Sequence, residues 1–379
     1  MDMNYQTLKK INRIIERDSK DTTYKFALLR ATIDIIQQKA PQIRFEGAKV
    51  RIPIGLIVVK WLEYYYPIIE AELPQKNGDK ITSNTLAFRE LFKRVTDFYT
   101  DKGGFPVFYY QLLNEVVDEH IEDVTRKLCK SIRDTLKKQP MRYIGSSVYQ
   151  DHYQVYQPEQ SNARMGKSGK LSIEYLIDHC GDCFIPRDYY DAFELMGSFI
   201  TGSHSILFNW ADFTVQKSGR ELTTERVLNT LLTTPTVERN VALSEKIFQQ
   251  VKQKQGELSC VWSDKSITND LNIDHVLPFS VWRNNDLWNL LPAKESVNSK
   301  KRDKIPSLQL LDSRKDRIIE YWRMIKTEEQ ECFQREVKLN LIGNSENTGA
   351  NWDVMAFEAL KHKCKYLIET RGFEEFHFQ

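Results

Sequence analysis

Over roughly its first 140 residues the chain returns apolar side chains every three or four places, in LKKINRIIERD, YKFALLRATIDIIQQ, LAFRELFKRVTDFY and YYQLLNEVVDEHIEDVTRKLCKSIRDTLKKQ. That spacing lays the apolar residues along one stripe of an α-helix, so this region has to be a set of helices packed stripe to stripe. Ser83 or Asn84 suits the N-cap of the third helix. The aromatic run Lys60-Trp61-Leu62-Glu63-Tyr64-Tyr65-Tyr66-Pro67 reads as a core or partner-facing helix stopped by Pro67, with a base-stacking surface as the alternative. Residues 141–170 break into tyrosines, glutamines and glycines, and RMGKSGK at 164–170 reads as an exposed basic loop. A helix is expected over 237–254, ended by Gly256.

The periodicity changes once in an informative way, over residues 271–307: LNIDHVLPFSVWRNNDLWNLLPAKESVNSKKRDKIPS. Residues 271–277 alternate apolar and polar as a short strand does, and Pro278 stops them. A loop follows, then the apolar run Asn289-Leu290-Leu291-Pro292, then a helical stretch with Asn298, Lys300 and Lys301. Strand, loop, strand and helix make a ββα unit. The dipeptide Asp-His also occurs at Asp151-His152 and Asp178-His179, but only Asp274-His275 sits in such a pattern.

Asp274 and Asn298 would supply hard oxygen ligands, suited to Mg²⁺ or Mn²⁺ with water and phosphate oxygens completing the shell. Such an ion neutralises charge on a leaving 3′ oxygen. His275, on the opposite face of the strand, titrates near neutrality and can take a proton from water. Asn289 could hydrogen-bond across the hairpin to hold the loop, and Lys301, on the helix face of Asn298, could reach a bound phosphate.

With His275, Asn289 and Asn298 in its three positions, fourteen and nine residues apart, the segment resembles the HNH (ββα-metal) endonuclease motif. The spacing is similar to the HNH domain of RNA-guided CRISPR effectors, and the phrase IDHVLPFSVWRNNDLWNLLPAKESVNSKK is closer still to stand-alone bacterial HNH proteins of the restriction and phage-defence type. The resemblance implies one divalent ion held by Asp274 and Asn298, His275 as general base, a structural role for Asn289, and 5′-phosphate and 3′-hydroxyl products. Two departures stand out. Zinc-binding CxxC pairs surround the motif in many members, whereas Cys260-Val261-Trp262-Ser263 has no second cysteine, which argues against a structural zinc. Some relatives carry an Asp two residues before the last Asn, where this chain has Ser296.

Composition bounds the rest. The chain has 379 residues with 54 Lys and Arg against 52 Asp and Glu, so a uniformly basic coat is excluded while a local basic face is not. Residues 294–326 hold ten cationic and five acidic side chains, a local net of +5. Lys294, Lys300, Lys301, Arg302 and Lys304 are therefore the expected contacts to a DNA backbone. No secretory signal or membrane-length apolar run is apparent, and six scattered cysteines argue against a disulfide scaffold, so a soluble, cytoplasmic protein is expected. His179-Cys180-Gly181-Asp182-Cys183 reads as ordinary buried or turn residues.

The expected fold is α+β and predominantly helical. A helical N-terminal domain over 1–236 would serve dimerisation, sensing or partner binding, an HNH nuclease domain would span 237–306, and C-terminal helices over 307–379 would pack on it. Double-stranded DNA is the expected substrate and a homodimer the simplest route to a double-strand break. Two alternatives stay open: a nuclease silent until a protein partner or signal releases it, and one preferring RNA or single strands.

Overall fold

The computed structural model describes residues 5–76, 85–159, 165–166, 169–201, 206–235, 238–343 and 351–378. It is mostly helical with small sheets, an α+β chain. Contacts divide it into two units, Met1–Lys39 with Ile43–Val237, and Ala40–Gln42 with Glu238–Gln379. Ser83 and Asn84 lie outside the described residues, as do Arg164, Lys167 and Ser168 of the expected basic loop.

In the first unit the longer helices are α1 (Tyr5–Arg17), α2 (Tyr24–Gln37), α3 (Ile54–Glu70), α4 (Arg89–Tyr99), α5 (Gly104–Leu113), α6 (Glu119–Lys138), α7 (Ile173–His179), α8 (Arg187–Thr201), α9 (Ile206–Lys217) and α10 (Thr224–Leu231), with single turns at Pro140–Tyr143 and Ser146–Tyr149. A small antiparallel sheet joins them, with β1 (Arg44–Glu46), β2 (Lys49–Pro53), β3 (Gln157–Pro158) and β4 (Asp182–Pro186) in the order β1-β2-β4-β3. Ile52 pairs with Cys183 at its centre.

The hub is α3, apolar over most of its surface apart from the side that carries the Lys60–Glu63 ion pair, and packed against α2, α4, α6 and α7. Gly55 permits the approach to α7: a Cβ there would sit 2.2 Å from the Leu176 carbonyl oxygen. Trp61 stacks on Tyr24 with ring centroids 5.4 Å apart, and Tyr66 stacks on Phe105 at 4.7 Å. Trp61, Tyr64, Tyr65 and Tyr66 are all buried, so this aromatic run is core and not a base-stacking surface. Pro67 does not stop the helix as expected. The helix runs on to Glu70, because a proline removes one hydrogen bond but surrounding packing holds the next turn in place. The fourth helix begins at Arg89, after Phe88, rather than near residue 84.

The second unit contains α11 (Ala242–Gln255), β5 (Leu271–His275), β6 (Leu290–Lys294), α12 (Glu295–Lys301), β7 (Ile305–Pro306), α13 (Leu308–Glu328), α14 (Gln330–Val337), α15 (Trp352–Lys365) and β8 (Glu375–Phe376). Strands β5 and β6 pair antiparallel, with Asp274 opposite Leu291 and His275 opposite Leu290. Strands β7 and β8 pair in parallel. One core runs through all of it: Phe248 of α11, Trp262, Trp288, Leu291 of β6, Trp322 of α13, Phe333 of α14 and Phe357 of α15 are buried together. The Trp322 indole donates to the Trp288 carbonyl at 2.8 Å. Helix α11 starts five residues later than expected, since residues 238–240 are non-helical and bond instead to Asn285 and to the Ile273 carbonyl. Among the described residues no helix is long and apolar enough to cross a membrane.

Candidate functional site

Strand β5 alternates its side chains between two faces, and the candidate residues divide accordingly. On one face stand Asn272 and Asp274. On the other stands His275, the last residue before the chain turns at Pro278.

Asp274 is 2% exposed and both of its oxygens are engaged. Oδ2 accepts the Trp262 indole N–H at 2.6 Å, and Oδ1 accepts the Lys301 ammonium at 3.1 Å. Burial pushes the Asp274 carboxyl upward, against the pull of Lys301 and the Trp262 hydrogen bond. Lys301 lies differently from the expected phosphate-contacting cation. It is wholly buried at the end of α12, and its Nζ also donates to the His275 carbonyl at 2.7 Å. A lysine this deep must spend its charge on an internal partner, and Asp274 is that partner.

His275 is 3% exposed, with Phe279 edge-on at 5.7 Å between ring centroids. Burial lowers its imidazole to about 4, so the ring is neutral at physiological pH. Its Nε2 lies 3.1 Å from Oδ1 of Asn285.

Asn289 ends a short turn just before β6 and is fully buried. Its Oδ1 accepts the Leu277 N–H at 2.8 Å while its Nδ2 donates to the Leu277 carbonyl at 3.0 Å. The side chain thus imitates a strand partner for the residue where β5 turns away, with the adjacent Val276 N–H on the Asn289 carbonyl at 2.8 Å. The loop between the strands is held from below as well: the Leu287 N–H donates to Glu336 of α14 at 2.7 Å, and Asn340 donates to Asp286 at 2.7 Å.

Asn298, on α12, donates from Nδ2 to Asn272 Oδ1 at 2.7 Å. With its nitrogen so anchored, Asn298 keeps its oxygen for another partner. Asp274 and Asn298 therefore offer one carboxylate and one amide oxygen, a donor set that suits a hard cation keeping most of its waters. An ion reaching Asp274 has to share Oδ1 with the Lys301 ammonium or Oδ2 with the Trp262 indole N–H, or displace one of them. Among the described residues no group of three or more His, Cys, Asp or Glu is placed to hold a metal. Cys260 is buried in the core, and Cys180 and Cys183 are buried with Cys183 Sγ donating to the Ile52 carbonyl, all of them free thiols.

The basic stretch is largely neutralised by acids that the fold brings to it. Lys294 pairs with Asp270 at 3.1 Å, Lys304 with Glu374, Arg314 and Arg317 with Asp264, and Lys315 with Glu358 at 3.2 Å. Lys300 and Arg302 are exposed and carry no ion pair among the described residues. Trp262, Asn272 and Asn285 were not legible as site residues. The only trace of Asn272 is its two-residue spacing from Asp274, and Asn285 is one of two asparagines in a polar loop.

No curated protein and no solved structure matches the chain. Two family models do. One, described as an HNH endonuclease, covers residues 260–307, which contain Trp262, Asp274, His275, Asn289, Asn298 and Lys301. The other, described as a domain of unknown function, DUF8808, covers residues 4–231. The chain accordingly belongs to the DUF8808 family and carries, in its second unit, the HNH domain of a nuclease.

Proposed function

We propose that the protein is a metal-dependent endonuclease that hydrolyses phosphodiester bonds of double-stranded DNA at the end of β5. The observation carrying this reading is that one strand presents Asp274 and His275 on opposite faces, with Asn298 of α12 bonded to Asn272 two residues before Asp274 and the loop beyond His275 clamped by Asn289. These residues fit the ββα-metal arrangement, with Asp274 and Asn298 holding one Mg²⁺ or Mn²⁺. When bound, the ion would supply charge to the scissile phosphate and the leaving oxygen. His275, neutral and held by the loop, takes a proton from the attacking water. Asn289 keeps the chain after His275 in one geometry. Lys301 pairs with Asp274 inside the core and opposes the effect of burial on its carboxyl. Lys300 and Arg302, exposed and without an ion pair among the described residues, are the cations best placed to meet a DNA backbone.

His275→Ala should abolish plasmid cleavage while leaving duplex binding intact, and a chelator should silence the wild type; undiminished cutting by the variant would remove His275 as base. A second reading, a nuclease held silent until a protein partner or signal releases it, is favoured by the burial of His275 and by Lys301 on Asp274. Purified protein would then be inert on naked DNA. Comparing plasmid, single-stranded DNA and RNA under Mg²⁺ and Mn²⁺ separates both from a preference for RNA or single strands. A role in restriction or anti-phage defence rests on the resemblance to stand-alone HNH proteins, and a homodimer on the need for two sites to break both strands. The first unit would then serve dimerisation, sensing or partner binding.

A further inference from the structure

Asn285 lies in the loop between β5 and β6, and its side-chain amide is fixed by backbone groups on both of its ends. Nδ2 donates to the Glu238 carbonyl at 2.9 Å, and Oδ1 accepts the Asn240 N–H at 3.1 Å. A carbonyl cannot donate and a backbone N–H cannot accept, so the amide can face only one way. The segment that fixes it is itself tied down. Arg239 donates to the Ile273 carbonyl of β5 at 2.7 Å, and Asn240 Oδ1 accepts the Ala242 N–H at the start of α11 at 3.1 Å.

The atom that Asn285 turns toward His275 is therefore the oxygen, an acceptor, 3.1 Å from Nε2. A neutral imidazole carries one N–H, and the nitrogen bonded to an acceptor must be the one that carries it. We infer that Asn285 is a positioning residue that holds His275 as its Nε2–H tautomer and so makes Nδ1 the atom that accepts the proton from water. The inference rests on the nuclease reading for its consequence, though not for its geometry.

The proton balance is simple. Water gives one proton to the Nδ1 lone pair as its oxygen bonds to phosphorus, the P–O3′ bond breaks and the leaving 3′ oxygen takes a proton from solvent. Nε2–H remains on Asn285 throughout, and the imidazolium later returns its Nδ1 proton to solvent. The resulting imidazolium then has both nitrogens protonated, with one N–H already on an oxygen that favours positive charge. Were the ring to take the other tautomer, its basic nitrogen would face Asn285 and be lost to the reaction. A misassigned tautomer in a comparable base is a large loss, because the group remains in place but presents an N–H where a lone pair is needed.

The test uses the full-length protein with ¹⁵N-labelled histidine, reading the two-bond ¹H–¹⁵N correlations of His275 near pH 7.5 together with steady-state cleavage of a duplex. Wild type should show the Nε2–H pattern. Asn285→Ala should show a mixture of tautomers, with kcat lower by about 100-fold and KM unchanged. Asn285→Asp, which keeps an acceptor oxygen, should keep the Nε2–H pattern, and Asn285→Leu, which keeps the bulk without the acceptor, should lose it if the alanine variant does not fold. An Nδ1–H pattern in the wild type, or an unaltered pattern in Asn285→Ala, would overturn the assignment. Should the protein cut no nucleic acid at all, the nuclease reading fails while the spectra still decide the role of Asn285.

Discussion

At the scale of single residues the site is governed by burial. Lys301 and Asp274 form an ion pair with side chains essentially closed to solvent. Removing one partner of such a pair leaves a buried charge with nothing to balance it, which costs more than the pair contributes. Lys301→Met should lower the unfolding free energy by about 3–5 kcal/mol in denaturant titrations, and adding Asp274→Asn should restore part of the loss. His275 yields a prediction with a definite sign. Its folded value, about 4, lies below the usual 6.5, so between those pH values the unfolded chain takes up a proton that the native ring refuses. Its contribution is therefore intact above pH 6.5 and lost as the pH falls toward 4, by up to about 3 kcal/mol. Unfolding measured from pH 7 to 4.5 should show a steeper acid loss for wild type than for His275→Gln. Asp274, His275, Asn289 and Asn298 stood out in the sequence because their chemistry and spacing occur together. Trp262, Asn272 and Asn285 did not, because a hydrogen bond from a distant residue leaves no periodic trace.

At the scale of elements, the apolar stripes of the first unit were readable because helix burial imposes a period on the sequence. What they could not convey was which helix lies at the centre. Helix α3 takes that place by being buried over most of its surface, and Gly55 lets it come within contact of the α7 backbone. Gly55→Ala should force the two elements apart and destabilise the first unit by about 1–3 kcal/mol, seen as a lower thermal midpoint of the full chain. Pro67 teaches the reverse lesson. Its local preference is to end a helix, and packing of Tyr66, Ile68 and Ile69 on both sides outweighs it. In the second unit the first strand was legible from its alternation and the second from its short apolar run, while the helical turn at Phe279–Trp282 inside the loop was not, being too short to show a period.

At the scale of the whole molecule, the residues after 307 belong to the same core as the strand pair. Trp322, Phe333 and Phe357 pack with Trp262, Trp288 and Leu291, and Glu336 and Asn340 hold the loop that carries Asn285 and Asn289. A chain truncated after Ser307 should therefore lose the protected amides of β5 and β6 in hydrogen exchange, although every residue of the HNH match is retained. Retained protection would show that the strand pair stands without α13 to α15. Charge gives the same contrast between local and global information. The net of +5 over residues 294–326 is real in sequence, but Asp264, Asp270, Glu358 and Glu374, all outside or at the margin of that run, neutralise most of it. The sequence by itself determined the helical character of the first unit, the strand-loop-strand-helix order around Asp274 and His275, and which side chains are candidates for the chemistry, since periodicity and chemical type are local properties. Only the tertiary structure decided that Lys301 faces inward onto Asp274, that the basic run is mostly paired, and that Asn285 addresses His275, because each depends on which distant groups share a space from which water has been removed.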